Sequence, residues 1–239
     1  ISMKPKVSVI TSIYKSSKFI YDFLIDVKRQ TIFPESEILL LDANPEGEDS
    51  DYDIIKNFLH LKPFKYKRIK ECNVYEAWNQ GIKLASSDLI SNWNTDDRRK
   101  VNSLKTQVDF LESNGEVDVC YGSLLISDKE NEVFEFCDAK KTWLICEGSL
   151  EDQLRHNSPH CLPVWRKSIH DRFGDFDSSY FSAGDYEMWF RVLKGGGKLG
   201  KINEILGLYY NNPNSISKKK ETHRKALEEC KKIRLQYTP

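Results

Sequence analysis

Two adjacent carboxylates, Asp96 and Asp97, follow a short apolar run that begins at Leu89. The run predicts a buried strand, and open α/β sheets bind ligands at the carboxyl ends of their strands. Paired carboxylates hold a hard divalent cation, Mg²⁺ or Mn²⁺, against a diphosphate. A plainer interpretation is that Asp97 caps a helix beginning near Arg98. The rest of the chain must decide between the two.

Polar side chains also stand at the ends of two earlier predicted strands. Residues 7–13 alternate and are β-branched, and Ser12 and Tyr14 lie at the end of this strand. Residues 37–41 consist of Glu37 followed by four apolar residues, which predicts a second buried strand ending at Asp42. Asp42 before Asn-Pro also fits turn chemistry. Three such strand ends on one sheet edge predict a nucleotide site whose phosphates are held through a metal.

Strands and helices alternate through the first hundred residues, which implies a parallel sheet with helices on both sides. Apolar spacing predicts helices over 19–27, 52–61 and 75–85, and a third strand over 64–69. No Gly-x-Gly-x-x-Gly follows the first strand, and no Gly-Lys-Ser or Gly-Lys-Thr loop occurs. The sequence therefore lacks the phosphate-binding loops of dinucleotide dehydrogenases and P-loop nucleotidases.

The second half is less regular. Strand-like runs at 117–127 and 133–136 predict a hairpin, and residues 138–160 have no periodicity, which is typical of functional or mobile segments. The other predicted elements are helices over 104–111, 166–172 and 182–193, strands over 162–165, 199–202 and 205–210, and a charged tail from Ser217. Trp165, in its strand, is expected in the core.

Composition limits the class of protein. The 36 basic and 36 acidic side chains give zero formal charge, which argues against a nucleic-acid binder. No apolar run approaches the ~20 residues that span a bilayer, and no signal-peptide pattern is visible. Six scattered cysteines predict reduced thiols in a cytoplasmic protein. A structural zinc site at His156, His160 and Cys161 would lack its second ligand pair. The basic tail is either a solvated helix face or a contact with an anionic membrane surface.

Six short motifs, in this order, resemble family 2 glycosyltransferases, which have the GT-A fold. The motifs are Val7–Ile10 followed by Tyr14, Leu40-Leu41-Asp42, Asn79-Gln80-Gly81-Ile82, Asn94-Thr95-Asp96-Asp97, Arg172–Asp177 and Ala183–Arg191. The resemblance covers about residues 6–212. It implies a single α/β domain with a Rossmann-like, mixed, mainly parallel sheet flanked by helices.

The resemblance also implies roles for the donor site. Asp42 would bind the uracil of a UDP-sugar, and Ser12 and Tyr14 match positions near the base and ribose. Asn79 lies on the helix that closes this pocket. Asp96 matches a position that contacts the ribose. The nucleotide-binding set is thus Ser12, Tyr14, Asp42, Asn79 and Asp96.

Metal and catalytic roles follow from the same resemblance. Asp96 and Asp97 match the Asp-x-Asp region that binds Mn²⁺ or Mg²⁺, and Asp185 matches the general base of an inverting transfer. From the residues alone, Ser182 to Asp185 also fits a helix capping box. Departures from the family pattern are Asn94 for the first Asp of Asp-x-Asp, Ala43 for an acid, Trp78 for an arginine and Ser12 for a proline.

The sequence therefore predicts a metal-dependent hexosyltransferase-type enzyme that moves a sugar from a nucleotide-sugar to a glycan, lipid-linked or protein acceptor. His156, His160 and Trp143 are candidates for positioning that acceptor, and the histidines fit a plain surface position equally well. The alternative is a non-catalytic GT-A module that binds a nucleotide or a partner within a larger protein. A nucleotidyltransferase is disfavoured because no Gly-rich basic loop follows the first strand.

The predicted organisation has three parts. Residues 3–100 form the nucleotide-sugar-binding half, residues 101–216 the acceptor-binding and catalytic-base half of the same domain, and residues 217–239 a basic C-terminal helix.

Overall fold

The computed structural model describes residues 4–143 and 145–238. The predicted outer bounds at residues 3 and 239 lie outside this part of the chain. One sheet runs through both predicted halves.

The first half alternates strands and helices, as its apolar periodicity predicts. Its first, second and fourth strands are buried on both faces, and its third, at the edge of the sheet, alternates buried and exposed residues. Its helices bury one stripe each. The elements are β1 (Val7–Ile13), α1 (Ile20–Arg29), β2 (Ser36–Asp42), α2 (Ser50–Ile55), β3 (Phe64–Arg68), α3 (Val74–Leu84) and β4 (Leu89–Asn92).

The second half contains strands of very different length, from two residues in β5 to twelve in β9, and the remaining α-helices. Its elements are β5 (Arg98–Arg99), α4 (Ser103–Ser113), β6 (Val119–Ser127), β7 (Lys141–Trp143), α5 (Leu150–Arg155), β8 (Val164–Arg166), α6 (Ile169–Phe173), α7 (Gly184–Lys194), β9 (Leu199–Tyr210) and α8 (Lys220–Tyr237).

The strand order is β3-β2-β1-β4-β8-β6-β9-β5, with β7 beside β6. The first four strands are parallel, β8 runs antiparallel between β4 and β6, and β9 is parallel to β6. In this register Ile13 pairs with Asp42, and Ile10 pairs with Asn92. The carboxyl ends of β1, β2 and β4 therefore meet at one sheet edge, where ligands of open α/β sheets bind.

Helices cover both faces of the sheet, and each face has its own apolar core. Ile10 and Trp165 face the core under α3 and α7, whereas Val9 and Trp93 face the core under α1 and α4. Trp165 is fully buried, as expected for a core residue. The packing of α3 on β1 requires a glycine, because a Cβ at Gly81 would stand 2.9 Å from the Ile10 Cγ2 atom.

The predicted hairpin is wrong in its second strand. Residues 134–136 form a single 3₁₀ turn, and the strand that pairs antiparallel with β6 is β7. Phe136 is 82% exposed, and the Glu135 carboxylate accepts hydrogen bonds from Arg29 and from the Val101 N–H. The apolar residues of this segment thus do not form a strand of the sheet.

Three further expectations need correction. The runs 199–202 and 205–210 are one strand, β9. Its pairing with β6 is irregular at Ser123, and this irregularity accommodates the polar residues between the two runs. Helix α2 ends at Ile55 rather than near residue 61. Arg98 does not begin a helix: it lies in β5, paired with β9, and α4 begins at Ser103.

The basic tail forms α8, and one face of it is buried. Ala226, Ile233 and Tyr237 pack against the body of the protein, and the Tyr237 ring stacks on Phe190 of α7 with centroids 5.0 Å apart. The tail is therefore a packed helix with one solvated face. Among the described residues, no helix is both long and apolar enough to cross a membrane.

Candidate active site

Asp42 lies at the end of β2, fully buried, with both carboxylate oxygens engaged. Oδ1 accepts hydrogen bonds from the backbone N–H and the side-chain amide of Asn44, at 3.0 and 2.9 Å. Oδ2 accepts from the Tyr66 hydroxyl at 2.6 Å and from Arg68 Nη1 at 3.0 Å. The Arg68 guanidinium thus gives the buried carboxyl group a charged hydrogen-bond donor.

A cavity of about 580 Å³ opens beside Asp42. Asn44, Tyr66 and Arg68 line it, so the partners of Asp42 also form its wall. Its volume is in the range of small-ligand sites. Glu71, another lining residue, accepts a hydrogen bond from the hydroxyl of Tyr14, whose side chain is 44% exposed.

Ser12 and Tyr14 reach this edge from the end of β1. Ser12 pairs with Leu41 in the sheet and is half-buried, one residue before Ile13 pairs with Asp42. The structure thus brings Ser12, Tyr14 and Asp42 to the same strand ends, as the sequence predicts.

Asn79 has a structural role in this fold. Its side-chain amide donates to the Phe176 carbonyl at 2.8 Å, and its Oδ1 accepts from the Phe176 N–H at 3.0 Å. Because the backbone of Phe176 occupies both ends of the amide, Asn79 joins α3 to the segment before α7. The predicted contact of Asn79 with a nucleotide stays a prediction.

Asp97 is buried in the turn after β4. Its Oδ1 accepts from the Tyr210 N–H and its Oδ2 from the Asn94 side-chain amide, each at 3.2 Å. Burial, together with the charge of Asp96, raises the pKa of Asp97 to about 8. Asp96 is partly exposed, and its Oδ2 accepts from the Asn212 amide at 3.1 Å. The end of β9 and the residues just after it thus hold both carboxylates.

A buried arginine shapes the turn that carries these two carboxylates. Arg98 Nη1 donates to the carbonyl oxygens of Thr95 and Asp97 at 2.8 and 2.7 Å, and Trp93 Nε1 donates to the Asp97 carbonyl at 3.1 Å. No sequence pattern singles out Arg98 for this role, because its partners here are backbone atoms.

The fit of a divalent cation to this site rests on its oxygen donors. The described residues contain no group of three or more His, Cys, Asp or Glu side chains gathered as a metal site. Mg²⁺, however, is commonly held by one or two carboxylates and completed by substrate phosphates. A cation would also favour the ionised form of Asp97, whose pKa burial has raised to about 8. Asp96 and Asp97 therefore fit a cation shared with a diphosphate.

Lys218 belongs to this site, although its place in the sequence assigns it to the basic tail. Its ammonium lies 4.9 Å from the centre of the Tyr209 ring and donates to the Asn211 side chain. Burial lowers the pKa of Lys218, while the charges of Asp128, Asp97 and Asp96 act in the opposite direction. The sequence alone does not reveal that Lys218 is partly buried in this site, because Lys218 stands in a run of charged residues.

Asp185 lies in the first turn of α7. Its Oδ2 accepts from the Asn157 amide at 2.8 Å, and its Oδ1 accepts from the Tyr75 hydroxyl at 3.2 Å. Burial raises the pKa of Asp185, which brings a carboxylate closer to the pKa of an effective general base. The capping-box alternative is wrong, because the helix N-cap is Ala183 and makes no side-chain capping bond.

A close contact between α7 and α3 positions Tyr75, the tyrosine that bonds Asp185. A Cβ at Gly184 would stand 2.9 Å from ring carbons of Tyr75, so a glycine lets the start of α7 approach α3. Tyr75 and Asn157 are site residues that sequence reasoning missed, because they lie 110 and 28 residues from Asp185.

The predicted acceptor residues form a cluster. The His160 ring packs between Trp143 and Tyr209, with centroids 4.6 Å from each. Burial lowers the pKa of His160 to about 4, so its imidazole is neutral. His156 Nε2 lies 3.1 Å from Cys146 Sγ. His160 is therefore not a plain surface histidine.

Comparison with known proteins gives matches to one family. A family model described as glycosyl transferase family 2 matches residues 8–173. An uncharacterized glycosyltransferase of Methanocaldococcus jannaschii is 24% identical over 226 residues, which cover 88% of this chain and 72% of the relative. One from Rickettsia typhi is 25% identical over 193 residues, covering 80% and 59%.

Solved structures share the fold. TarS of S. aureus, in complex with UDP, has a TM-score of 0.73 at 16% identity and covers 98% of this chain. The mannosyltransferase PcManGT of Pyrobaculum calidifontis, in complex with GDP-Man and Mn²⁺, has a TM-score of 0.74 at 12% identity and covers all of it. The chain spans 65% and 66% of these two proteins. The predicted GT-A fold is confirmed.

Proposed function

The chain belongs to glycosyl transferase family 2 and has the GT-A fold, and on that premise we propose that it transfers a sugar from a nucleotide-sugar, a UDP-sugar in the first instance, to an acceptor hydroxyl with inversion. The observation that carries the proposal is the common edge formed by the ends of β1, β2 and β4. Asp42 stands there beside a cavity of about 580 Å³, and Asp96 and Asp97 lie in the turn that follows β4.

The donor half of the proposal rests on Asp42 and its surroundings. Asp42 offers carboxylate oxygens to a base N–H, and Tyr66 and Arg68 are the donors that a bound base would displace or share. Ser12 and Tyr14 stand at the next strand end, beside the proposed ribose position. The solved neighbours bind UDP and the donor UDP-GlcNAc in TarS, and the donor GDP-Man in PcManGT, so uridine and guanosine donors are both worth testing.

The leaving group is a nucleoside diphosphate that gains negative charge in the transition state. Asp96 and Asp97 would hold Mn²⁺ or Mg²⁺, which supplies charge neutralisation for the diphosphate. Lys218 adds a protein cation on the same side, because it contacts Tyr209 and Asn211, the neighbours of the residues that bond Asp97 and Asp96.

Asp185 is the proposed general base. Its carboxylate takes the proton of the acceptor hydroxyl, the hydroxyl oxygen forms a bond to the anomeric carbon, and the bond from that carbon to the diphosphate oxygen breaks. The diphosphate leaves with the bonding electrons. Tyr75 and Asn157 hold the carboxylate in one orientation through their hydrogen bonds. His156, His160 and Trp143 are proposed to position a glycan, lipid-linked or protein acceptor.

A second candidate is a GT-A module that binds a nucleotide without transferring a sugar. Asn94 favours it, because its amide donates to Asp97 Oδ2 and so occupies an oxygen that a cation would use. The retained carboxylates at 96, 97 and 185 favour the enzyme.

A donor panel separates the two candidates. The chain is incubated with UDP-glucose, UDP-galactose, UDP-N-acetylglucosamine or GDP-mannose, in Mn²⁺ or in chelator, and release of nucleoside diphosphate is measured. The enzyme predicts slow release that requires the metal. Metal-dependent nucleotide binding without release from any donor would favour the module.

Calorimetry with UDP tests the base site directly. Asp42→Ala removes charged hydrogen bonds worth about 1.5–3 kcal/mol, so we expect affinity to fall at least about tenfold. Asp109→Ala is the matched control, because Asp109 pairs with Lys105 on the surface of α4. Equal UDP affinity in Asp42→Ala and wild type would remove Asp42 from base recognition.

Contact of α8 with an anionic membrane, which the sequence left as an alternative, is not part of this proposal. Leu227 and Leu235 are exposed on this helix among basic residues. Several of those basic residues, however, contact the protein itself.

A further inference from the structure

One carboxylate of α8 holds the segment that leads into α7. Glu229 accepts hydrogen bonds from the backbone N–H groups of Phe181, Ser182 and Ala183, at 2.6, 2.9 and 3.1 Å. These residues directly precede α7, whose first turn contains Asp185. Backbone N–H groups at the start of a helix lack partners within the helix, and here part of that need is met from another helix.

Residues near Glu229 hold this part of α8 in place. Lys225 and Lys232, on either side of it along α8, lie over the rings of Phe181 and Tyr180 at 4.6 and 5.4 Å. Ile233 is fully buried on the same helix. The clamp, defined as Glu229 with its three N–H donors, thus stands on a helix that is packed against the body of the protein.

We propose that Glu229 is a positioning residue for the transfer reaction, acting through the backbone of residues 181–183 to hold Asp185 in its reactive orientation. The inference rests on the proposed function, because it takes Asp185 as the base. Loss of Glu229 leaves three N–H groups to find water, and the start of α7 then moves against Tyr75 and Asn157. A misplacement of about 1 Å can cost about 10²-fold in rate.

Kinetics of Glu229→Ala and Glu229→Gln test the clamp. We expect kcat to fall about 10–100-fold in Glu229→Ala and less in Glu229→Gln, which keeps one carbonyl oxygen. KM for the donor should stay within about twofold, because the proposed donor contacts follow β1, β2, β4 and β9 and the hydrogen bonds of the clamp reach only residues 181–183. Glu228→Ala is the matched control: Glu228 is exposed and bonds Arg224 at 2.8 Å, and we expect no change in kcat.

A double variant separates positioning from general stability. In an Asp185→Asn background, Glu229→Ala should cause no further loss of kcat, because the base through which it acts is absent. An equal loss in both backgrounds, or unchanged kcat in folded Glu229→Ala, would overturn the proposal.

A measurement that needs no enzyme turnover tests the clamp independently of the proposed function. The Asp185 carboxyl is titrated by carbon NMR in wild type and Glu229→Ala, and exchange of the 181–183 amides is followed. The groups that face Asp185 are Tyr75 on α3, Asn157 after α5 and Cys230 on α8.

We expect faster exchange and an Asp185 titration at higher pH in Glu229→Ala, because the hydrogen bonds that favour the carboxylate lengthen. Removing the negative charge of Glu229 alone would move that titration to lower pH. An inactive wild type with these shifts would refute the transferase while supporting the clamp. Unchanged exchange and an unchanged or lowered titration would refute the clamp.

Discussion

At the scale of the residue, Asp185 combines two hydrogen bonds with burial that raises its pKa. Asp185→Asn keeps the shape and removes the proton acceptor, so we expect kcat to fall about 10²–10⁴-fold. Donor affinity, measured by calorimetry, should stay unchanged. Asp171→Asn, an exposed carboxylate on α6, is the control. Wild-type turnover in folded Asp185→Asn would exclude Asp185 as the base.

The raised pKa of Asp185 has a consequence for the pH profile. A general base works in its deprotonated form, so kcat rises with pH through the pKa of that group. Because burial raises the pKa of Asp185, the acid limb of the profile should lie above the usual range of an aspartate.

The carboxyl group of Asp26, in α1, makes the stability of the protein depend on pH. Burial raises its pKa to about 6, although its carboxylate accepts the Arg99 N–H at 2.9 Å. The folded state therefore binds the proton more tightly than the unfolded state, and this stabilisation is lost as pH rises from about 4 through about 6.

Asp26→Asn removes that loss, so we expect it to be more stable than wild type by about 1–3 kcal/mol at pH 8. The advantage should shrink towards pH 5. Urea unfolding at both pH values measures it, with Asp22→Asn, an exposed position on α1, as the control. A difference from wild type that does not depend on pH would contradict the assignment.

At the scale of the element, the segment after β9 brings Lys218 to the two carboxylates. Lys218→Met removes a partly buried cation that contacts Tyr209 and Asn211. We expect UDP affinity to fall about tenfold. Calorimetry measures the change, and Lys220→Met, exposed at the start of α8, is the control. Equal losses in the two variants would indicate a general charge effect.

Helix α8 contributes to stability through its buried face. Ile233 is fully buried in the core below α7, whereas Leu235 is 70% exposed. Ile233→Ala should therefore cost about 2–4 kcal/mol of unfolding free energy, and Leu235→Ala less than about 0.5 kcal/mol. Similar costs for both, measured by chemical denaturation, would contradict the packing of this helix.

At the scale of the whole molecule, zero formal charge gives no general attraction to anionic surfaces. Lys225 and Lys232 lie over aromatic rings, and Arg234 donates to the Tyr186 hydroxyl. We therefore expect no co-sedimentation with phosphatidylglycerol vesicles at physiological salt. Binding that disappears at high salt and in Lys231→Ala, an exposed position of α8, would instead establish the membrane contact.

The strands of the first half and the carboxylates at their ends are encoded locally in the amino-acid sequence. Apolar runs and the polar residues that end them are local patterns, so the sequence is sufficient to assign Asp42, Asp96 and Asp97 to one sheet edge. The second half is less predictable, because short strands such as β7 and β5 gain their pairing from neighbours and not from their own pattern.

The contacts of each side chain, in contrast, depend on the tertiary structure. Asn79 bonds the backbone of Phe176, Asp185 is held by Tyr75 and Asn157, and Glu229 reaches residues 181–183 from the last helix. These partners lie 28 to 110 residues apart. A hydrogen bond to backbone atoms or across such a separation leaves no local pattern in the chain, because packing of whole elements brings the partners together.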